Sequence, residues 1–367
     1  MNRILFRADA NKNIGMGHIM RCLSLADAFT SADCYVEFLI ADDSVSELIQ
    51  SRGYKAIVLN SDYTRMEEEL NYWPSDFRAD FLIVDSYYVT ANYLASLREK
   101  MKGIDSKLVY IDDVLSLPYP VDILVDYNAY SNQSIYDRLY DSATVEKPRM
   151  ILGPTYAPLR SMFRNVPKKV QREKVENILI STGGSDELHV ALTILNAITS
   201  SVRTDHVYHF LIGAMNADKE EIKKVAAEEN NIVIHENVSD MRSLIQSVDL
   251  AISAAGSTLY EISACGVPLI TYSLADNQIP GAEAFEKLGL AVNVGDLRDL
   301  TSIDHDSVMS GTLDSTAVQR ILTAAEKLAR DYEHRCQMGK KMQGMIDGFG
   351  ADRMVQEILS LSSHPQP

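Results

Sequence analysis

Positive charge, paired cysteine and long apolar runs are all scarce in this chain, and each shortage excludes a class of protein. Lys and Arg number 35 against 51 Asp and Glu, a net charge of −16. Summed repulsion of that sign opposes general binding to nucleic acid or to an anionic membrane surface, so any anionic ligand must be held by local devices. Cys22, Cys34, Cys265 and Cys336 form no CxxC pair and no zinc spacing, which reads as reduced thiols in a cytosolic chain. The opening "MNRILFRADANK" sets Arg3, Arg7 and Asp9 around a short apolar run, neither a signal peptide nor an anchor, so a cytoplasmic location is expected. There is no fixed-period repeat and no low-complexity segment.

What is present suits a globular protein: 46% hydrophobic and 23% charged residues over 367 positions, more than one core usually organises. Short β-rich runs ("RILFRA", "YVEFLI", "KAIVLN", "FLIVDS", "KLVYID", "DILVDY") alternate with helix-period stretches, as right-handed βαβ crossovers require. A polar, basic stretch, "SMFRNVPKKVQREKVEN", reads as a solvated linker, and the alternation then restarts near Val175. The expected fold class is α/β, with two doubly wound Rossmann-like domains facing across a cleft. Residues 1–165 would form the first, 175–300 the second, and 301–367 a mainly helical extension. Ligands of such sheets bind beyond the carboxyl ends of the strands.

Three strand-to-helix turns, "NIGMGHIM", "ISTGGSDE" and "ISAAGSTLYE", bring bare backbone N–H groups and a helix N-terminus to one spot, a device that holds phosphate in an acidic protein. None is a G-x-G-x-x-G, since Met20 stands at the third position of the first, and none has the Lys of a P-loop, so neither a nicotinamide cofactor nor ATP is supported. His18 is the only histidine of the first 188 residues and follows Gly15 and Gly17. A helix cap and a buried ring with a satisfied hydrogen bond compete there with a catalytic base. In the third turn, Ser257 and Thr258 can cap the helix or meet a phosphate, and Glu261 can bind a ribose diol or complete a capping box. Asn277 and Gln278 follow the next strand and can hold phosphate or ribose, while Asp276 can cap a helix.

"GMGHIMRCLSLA", "VDSYYV" at 84–89, "YIDD" at 110–113, "DYN" at 126–128, "LGPTYAPLR" at 152–160, "ISTGGSD" at 180–186 and "SAAGSTLYEISACGVPLI" at 253–270 together resemble the UDP-2,4-diacetamido-2,4,6-trideoxy-β-L-altropyranose hydrolases of pseudaminic acid biosynthesis. That family is related to the peptidoglycan N-acetylglucosaminyltransferase of GT-B fold and to proteins named for spore-coat polysaccharide biosynthesis. The resemblance spans residues 4 to about 290 and is most specific from Gly15 to Arg21. It implies cleavage of the anomeric C–O bond by water, with inversion and without a metal, His18 serving as base. It also implies UDP binding by the second domain, with Glu261 on the ribose and Gly256, Ser257 and Thr258 near the diphosphate. The departure is Ala255, where many relatives carry a second glycine.

The residues suit that chemistry. UDP leaves as a stabilised anion, so one base on the opposite face can suffice, and an imidazole of ordinary pKa about 6.5 accepts a proton from water near neutrality. Gly17 and Arg21 flank His18. Asp9, Asp85, Tyr87, Asp113 and Asn128 fall just after strands, where they are expected to line the sugar side or to hold His18 in one tautomer; each can also be a loop cap. Tyr156 and Arg160 are further substrate candidates, as are Gly183, Gly184 and Ala255 for the nucleotide. No DxD in a nucleotide-binding loop, no HExxH and no Ser–His–Asp set is found, and no cofactor or metal is expected. The partner expected is a UDP-sugar, bound by a monomer or weak homo-oligomer. A GT-B glycosyltransferase and a catalytically idle nucleotide-sugar binder are the alternatives.

Overall fold

The computed structural model describes residues 1–11, 14–74, 77–102, 106–141, 143–184, 186–200, 205–298 and 315–362. Two compact units emerge: Met1–Ser161 with Gly348–Pro367, and Met162–Asp347.

In the first unit the chain runs β1 (Arg3–Ala8), α1 (Gly17–Ser31), β2 (Tyr35–Ile40), α2 (Ser46–Ser51), β3 (Lys55–Val58), α3 (Met66–Glu69), β4 (Phe81–Asp85), α4 (Ala91–Lys102), β5 (Lys107–Ile111), β6 (Ile123–Asp126), α5 (Gln133–Tyr140) and β7 (Arg149–Leu152). Its sheet has the order β3-β2-β1-β4-β5-β6-β7, every pair parallel. Strand order therefore reverses between β1 and β4, where Ala8 pairs with Asp85. The central strands are largely apolar and buried because helices cover both faces: every residue of "FLIVD" in β4 is buried, Asp85 included. A charged knot is built into this unit. Arg7, wholly buried on β1, donates from Nε to Glu69 Oε1 at 2.9 Å and from Nη2 to Glu69 Oε2 at 2.5 Å, and pairs with Asp9. Tyr93 on α4 donates to the same Glu69 at 2.5 Å, tying α3 and α4 to the sheet.

The second unit continues β8 (Asn177–Ser181), α6 (Val190–Ser200), β9 (Val207–Ile212), α7 (Lys219–Ala226), β10 (Ile232–Glu236), α8 (Met241–Ser247), β11 (Leu250–Ala254), α9 (Thr258–Cys265), β12 (Leu269–Ser273), α10 (Ile279–Lys287), β13 (Val292–Asp296), α11 (Ser315–Arg330) and α12 (Tyr332–Met345). Its sheet order, β10-β9-β8-β11-β12-β13, repeats the doubly wound plan with the reversal between β8 and β11. The expected helical extension is α11, α12 and α13 (Gly350–Leu359), with 301–314 and 363–367 outside the described residues. α13 belongs to the first unit, where it packs on α1, and Arg353 donates to the Thr155 carbonyl at 2.9 Å.

The basic stretch read as a solvated linker is not one. Lys169 Nζ donates to the carbonyls of Gln246 at 2.6 Å and Val248 at 2.7 Å, closing the end of α8, and Gln171 donates to the Gly266 carbonyl at 2.8 Å. Buried Arg335 on α12 in turn takes the carbonyls of Arg172 and Glu173 at 2.8 and 2.6 Å. Lysine heads satisfy the spare carbonyls of a helix end as well as they satisfy water, which composition cannot distinguish. Among the described residues, no helix is long and apolar enough to cross a membrane.

Candidate active site

A doubly wound sheet opens a crevice where its strand order reverses. In the first unit that point lies between the turn after β1 and the end of β4. Asn11 shapes the turn, accepting from Ile14 N at its side chain (3.0 Å) and from Gly15 N at its carbonyl (2.8 Å), while Gly15 takes φ +80°. α1 then begins at Gly17 without a side-chain cap and without an acid in its first turn. A Cβ on Gly17 would meet nothing within 4 Å and its φ is not positive, so neither backbone strain nor packing demands glycine there.

His18 is 4% exposed, and its Nδ1 lies 2.5 Å from Asp85 Oδ1. Burial alone would raise the Asp85 carboxyl, but the Arg21 guanidinium and His18 outweigh it and hold Asp85 far below the ordinary carboxylate range. Asp85 is therefore an anion that only accepts, so the proton between the two sits on Nδ1, and in a neutral imidazole the lone pair falls on Nε2. That nitrogen is buried and has no hydrogen-bond partner. The Tyr87 ring, 41% exposed, stands edge-on to the imidazole at 4.3 Å. An Asp–His pair of this geometry can take a proton at Nε2 and stabilise the imidazolium that forms.

Arg21, one turn along α1, donates from Nε to Asp85 Oδ2 at 2.6 Å and from Nη2 to Asp85 Oδ1 at 2.5 Å, a two-pronged clamp. Its Nη1 pairs with Asp113 at 2.5 Å and donates to the Tyr127 hydroxyl at 2.9 Å. Burial opposes the charge, yet Asp113 and Asp85 raise the guanidinium well above its usual value. Asn128 reaches the other Asp113 oxygen at 2.9 Å. The structure thus gathers His18, Arg21, Asp85, Tyr87, Asp113 and Asn128. Tyr127 and Cys22 join them without having been singled out. Cys22 Sγ donates to Asp85 Oδ2 at 3.3 Å, and burial together with Asp85 pushes its thiol up, so it is no nucleophile. Their signals lay inside quoted motifs: Cys22 one helical turn beyond His18, Tyr127 at the centre of "DYN".

Asp9 does not join this group. Its Oδ2 pairs with Arg7 and its Oδ1 accepts from Ala41 N at 2.8 Å, so the carboxylate serves the fold instead of a ligand. Tyr156 ends the short turn Pro154–Tyr156 after β7, and half-buried Arg160 closes the segment just before the second unit. Among the described residues, no hydrogen bond links Tyr156 to the His18 group.

The second unit's reversal point lies between the turns after β8 and β11. After β8 the expected glycine-to-helix step is interrupted, because α6 starts only at Val190 and Asp186 already fills its N-terminus, accepting from Val190 N at 3.0 Å and Ala191 N at 2.9 Å. Gly183 (φ +88°) and Gly184 remain in the turn, and a Cβ on Gly213 would strike the Gly184 carbonyl. The turn after β11 is different. Ser257 stands at the N-cap of α9 without a side-chain cap bond, Gly256 and Ser257 are exposed, and a Cβ on Gly256 would meet nothing within 4 Å. Ala255 is buried, its N–H bound to the Tyr272 carbonyl at 2.8 Å, and Thr258 and Glu261 sit in the first turn of α9. Asn277 is exposed, while Gln278 Oε1 accepts from Leu274 N at 2.8 Å and Asp276 pairs with Arg298, so these side chains also hold their own loop. No group of three or more His, Cys, Asp or Glu could hold a metal ion among the described residues.

Comparison with known proteins adds names to this geometry. Residues 168–303 match the glycosyltransferase family 28 C-terminal domain. The spore coat polysaccharide biosynthesis protein SpsG of Bacillus subtilis is 24% identical over 356 residues, 96% of this chain and 97% of that one. The UDP-2,4-diacetamido-2,4,6-trideoxy-β-L-altropyranose hydrolase of Campylobacter jejuni is 28% identical over 258 residues, 69% of this chain and 85% of that one. The uncharacterized protein MJ1062 of Methanocaldococcus jannaschii is 26% identical over 282 residues, which cover 73% of this chain but only 55% of that relative. Among solved structures, the calicheamicin glycosyltransferase CalG4 aligns over 99% of both chains with a TM-score of 0.63 at 15% identity. Acinetobacter baumannii MurG aligns over 98% of this chain and 100% of that one with a TM-score of 0.60 at 13% identity. The fold is that of the GT-B glycosyltransferases.

Proposed function

We propose that this chain, a homologue of the sugar-nucleotide hydrolase and spore-coat proteins named above, cleaves a UDP-linked 2,4-diacetamido-2,4,6-trideoxy sugar to free sugar and UDP in pseudaminic acid biosynthesis. The observation that carries the reading is the unpartnered, buried Nε2 of His18 beside a proton locked on Nδ1 by Asp85. A water held by Nε2 attacks the anomeric carbon. Its proton passes to Nε2, the new C–O bond forms as the bond to the β-phosphate oxygen breaks, and the electron pair leaves on UDP. The result is inversion. Asp85 balances the imidazolium, and Tyr87 offers an exposed ring to the sugar. In the second unit, the uncapped start of α9 with Gly256, Ser257 and Thr258 is the proposed holder of the diphosphate, Glu261 of the ribose, with Gly183, Gly184 and Asn277 near the nucleotide. Tyr156 and Arg160 are proposed to contact the sugar. The enzyme would work in the cytoplasm without a metal, as a monomer or weak homo-oligomer.

The match to the family 28 domain favours a second reading, an inverting transferase of the same fold. Proton NMR of the protein with the UDP-linked sugar in heavy-oxygen water separates the two. Hydrolysis predicts free sugar of inverted configuration carrying the label without any acceptor, whereas a UDP-sugar that stays intact until an acceptor is added overturns it.

A further inference from the structure

Behind the His18 group lies a second set of buried acids. Asp112, just after β5, and Asp126, at the end of β6, both reach the hydroxyl of Tyr136 on α5, at 2.7 Å from Asp112 Oδ2 and 2.9 Å from Asp126 Oδ2. A phenol has one proton to give. Asp112 is the better-served anion, since its Oδ1 also accepts from Val114 N at 2.8 Å, Leu115 N at 3.1 Å and Tyr119 at 3.0 Å. The Tyr136 proton therefore goes to Asp112, and Asp126 Oδ2, facing the phenol oxygen, needs a proton of its own. The other oxygen of Asp126 accepts both the backbone N–H and the side-chain Nδ2 of Asn128, each at 2.9 Å. The second Nδ2 hydrogen goes to Asp113 Oδ1 at 2.9 Å, and Asp113 Oδ2 meets Arg21.

We propose that Asp126, protonated in its Tyr136-bridged pair with Asp112, is a positioning residue that fixes Asn128 and, through Asp113 and Arg21, the Asp85–His18 pair. Asp113 and Asn128 then act on Arg21, and the sugar is left to other groups. The ionisable groups that bear directly on this proton are Asp112 and Asp113 beyond β5 and Tyr136 on α5, with Tyr119 reached through Asp112, and Arg21 on α1 and Asp85 on β4 reached through Asp113. Burial, opposed by the Asn128 hydrogen bond and reinforced by Asp113 and Asp112, pushes the Asp126 carboxyl up to about 7. The proton is held below that pH and lost above it, where a further negative charge appears beside two others and the anchor of Asn128 changes. The inference rests on the proposed hydrolysis only for its kinetic arm.

The substrate-free arm follows the side-chain Nε–H signal of Arg21 by NMR and the carbonyl band of protonated carboxylic acid by infrared spectroscopy, from about pH 5.5 to about pH 8.5. In the parent protein the acid band should vanish around neutrality with a matching step in the Arg21 signal. Asp126→Asn, which keeps the amide contacts and cannot ionise, should abolish both. An Arg21 step that persists unchanged in Asp126→Asn overturns the proposal. Tyr136→Phe, which removes the bridge and keeps the acid, is the second variant: the Arg21 step should move with the altered titration, and a step that stays in place refutes the coupling. In the kinetic arm, Asp126→Asn should flatten the alkaline decline of hydrolysis, raising the ratio of the rate at about pH 8.5 to that at about pH 6.5 roughly threefold or more. An unaltered pH profile counts against the proposal. Absence of hydrolysis in the parent protein would sink the assigned reaction and leave the spectroscopic arm standing.

Discussion

Arg7 and Arg21 stand in the same unit, one wholly buried and one nearly so, each held by two acids, yet they do different things. Around Arg7 every oxygen of Glu69 and Asp9 has a donor, and the knot ends in Tyr93 and the Ala41 N–H. Around Arg21 the chain of partners ends at an imidazole nitrogen with nothing to bond. Burial and ion pairing are thus common to both, and the unsatisfied atom is what distinguishes the cluster proposed to do chemistry from the one that supports the fold.

The comparison can be broken hardest at His18. His18→Ala should lower hydrolysis by about 10²–10⁴-fold while the melting temperature stays close to that of the parent, measured by product release and calorimetry. A variant that keeps its rate would put the two arginine clusters in the same structural class. Arg7→Met should do the reverse: it strands Glu69 and Asp9 without their cation and should cost about 3–5 kcal/mol of unfolding free energy in urea titration. If it leaves stability intact, the knot is not what ties α3 and α4 to the sheet. The mildest change sharpens the picture in the second unit. Gly256→Ala meets no atom and no backbone strain, so stability should move by less than about 1 kcal/mol while UDP affinity falls roughly tenfold, or ~1.4 kcal/mol, by calorimetric titration. Unchanged affinity would remove α9 from the proposed nucleotide site.

Both sheets were legible in the sequence because a parallel strand covered on two faces is an unbroken apolar run, and β4 and β11 are wholly buried. The proximity of His18 and Asp85 was legible only as a position after strands. What fixes it is the neighbour relation of β1 and β4, which aligns Ala8 with Asp85. Asp9, closer to His18 along the chain, carried the same signal and went elsewhere because Arg7 reaches it first. Likewise nothing in "ISTGGSDELHV" says that the carboxylate of Asp186 will turn back to occupy the helix start that the glycines advertise. Such outcomes depend on which side chain fills a space first, a three-dimensional contest that local spacing does not record.

The return of α13 to the first unit sets an order of events during synthesis. A ribosome delivers Met1–Ser161 early and the whole of Met162–Asp347 next, a continuous stretch able to complete its own core while still tethered. The helix that bears His18 must wait. Its packing partner, with Gly350 pressed against the backbone of Tyr156 and Ala157, emerges only after the whole second unit, so α1 keeps an uncovered apolar flank until then.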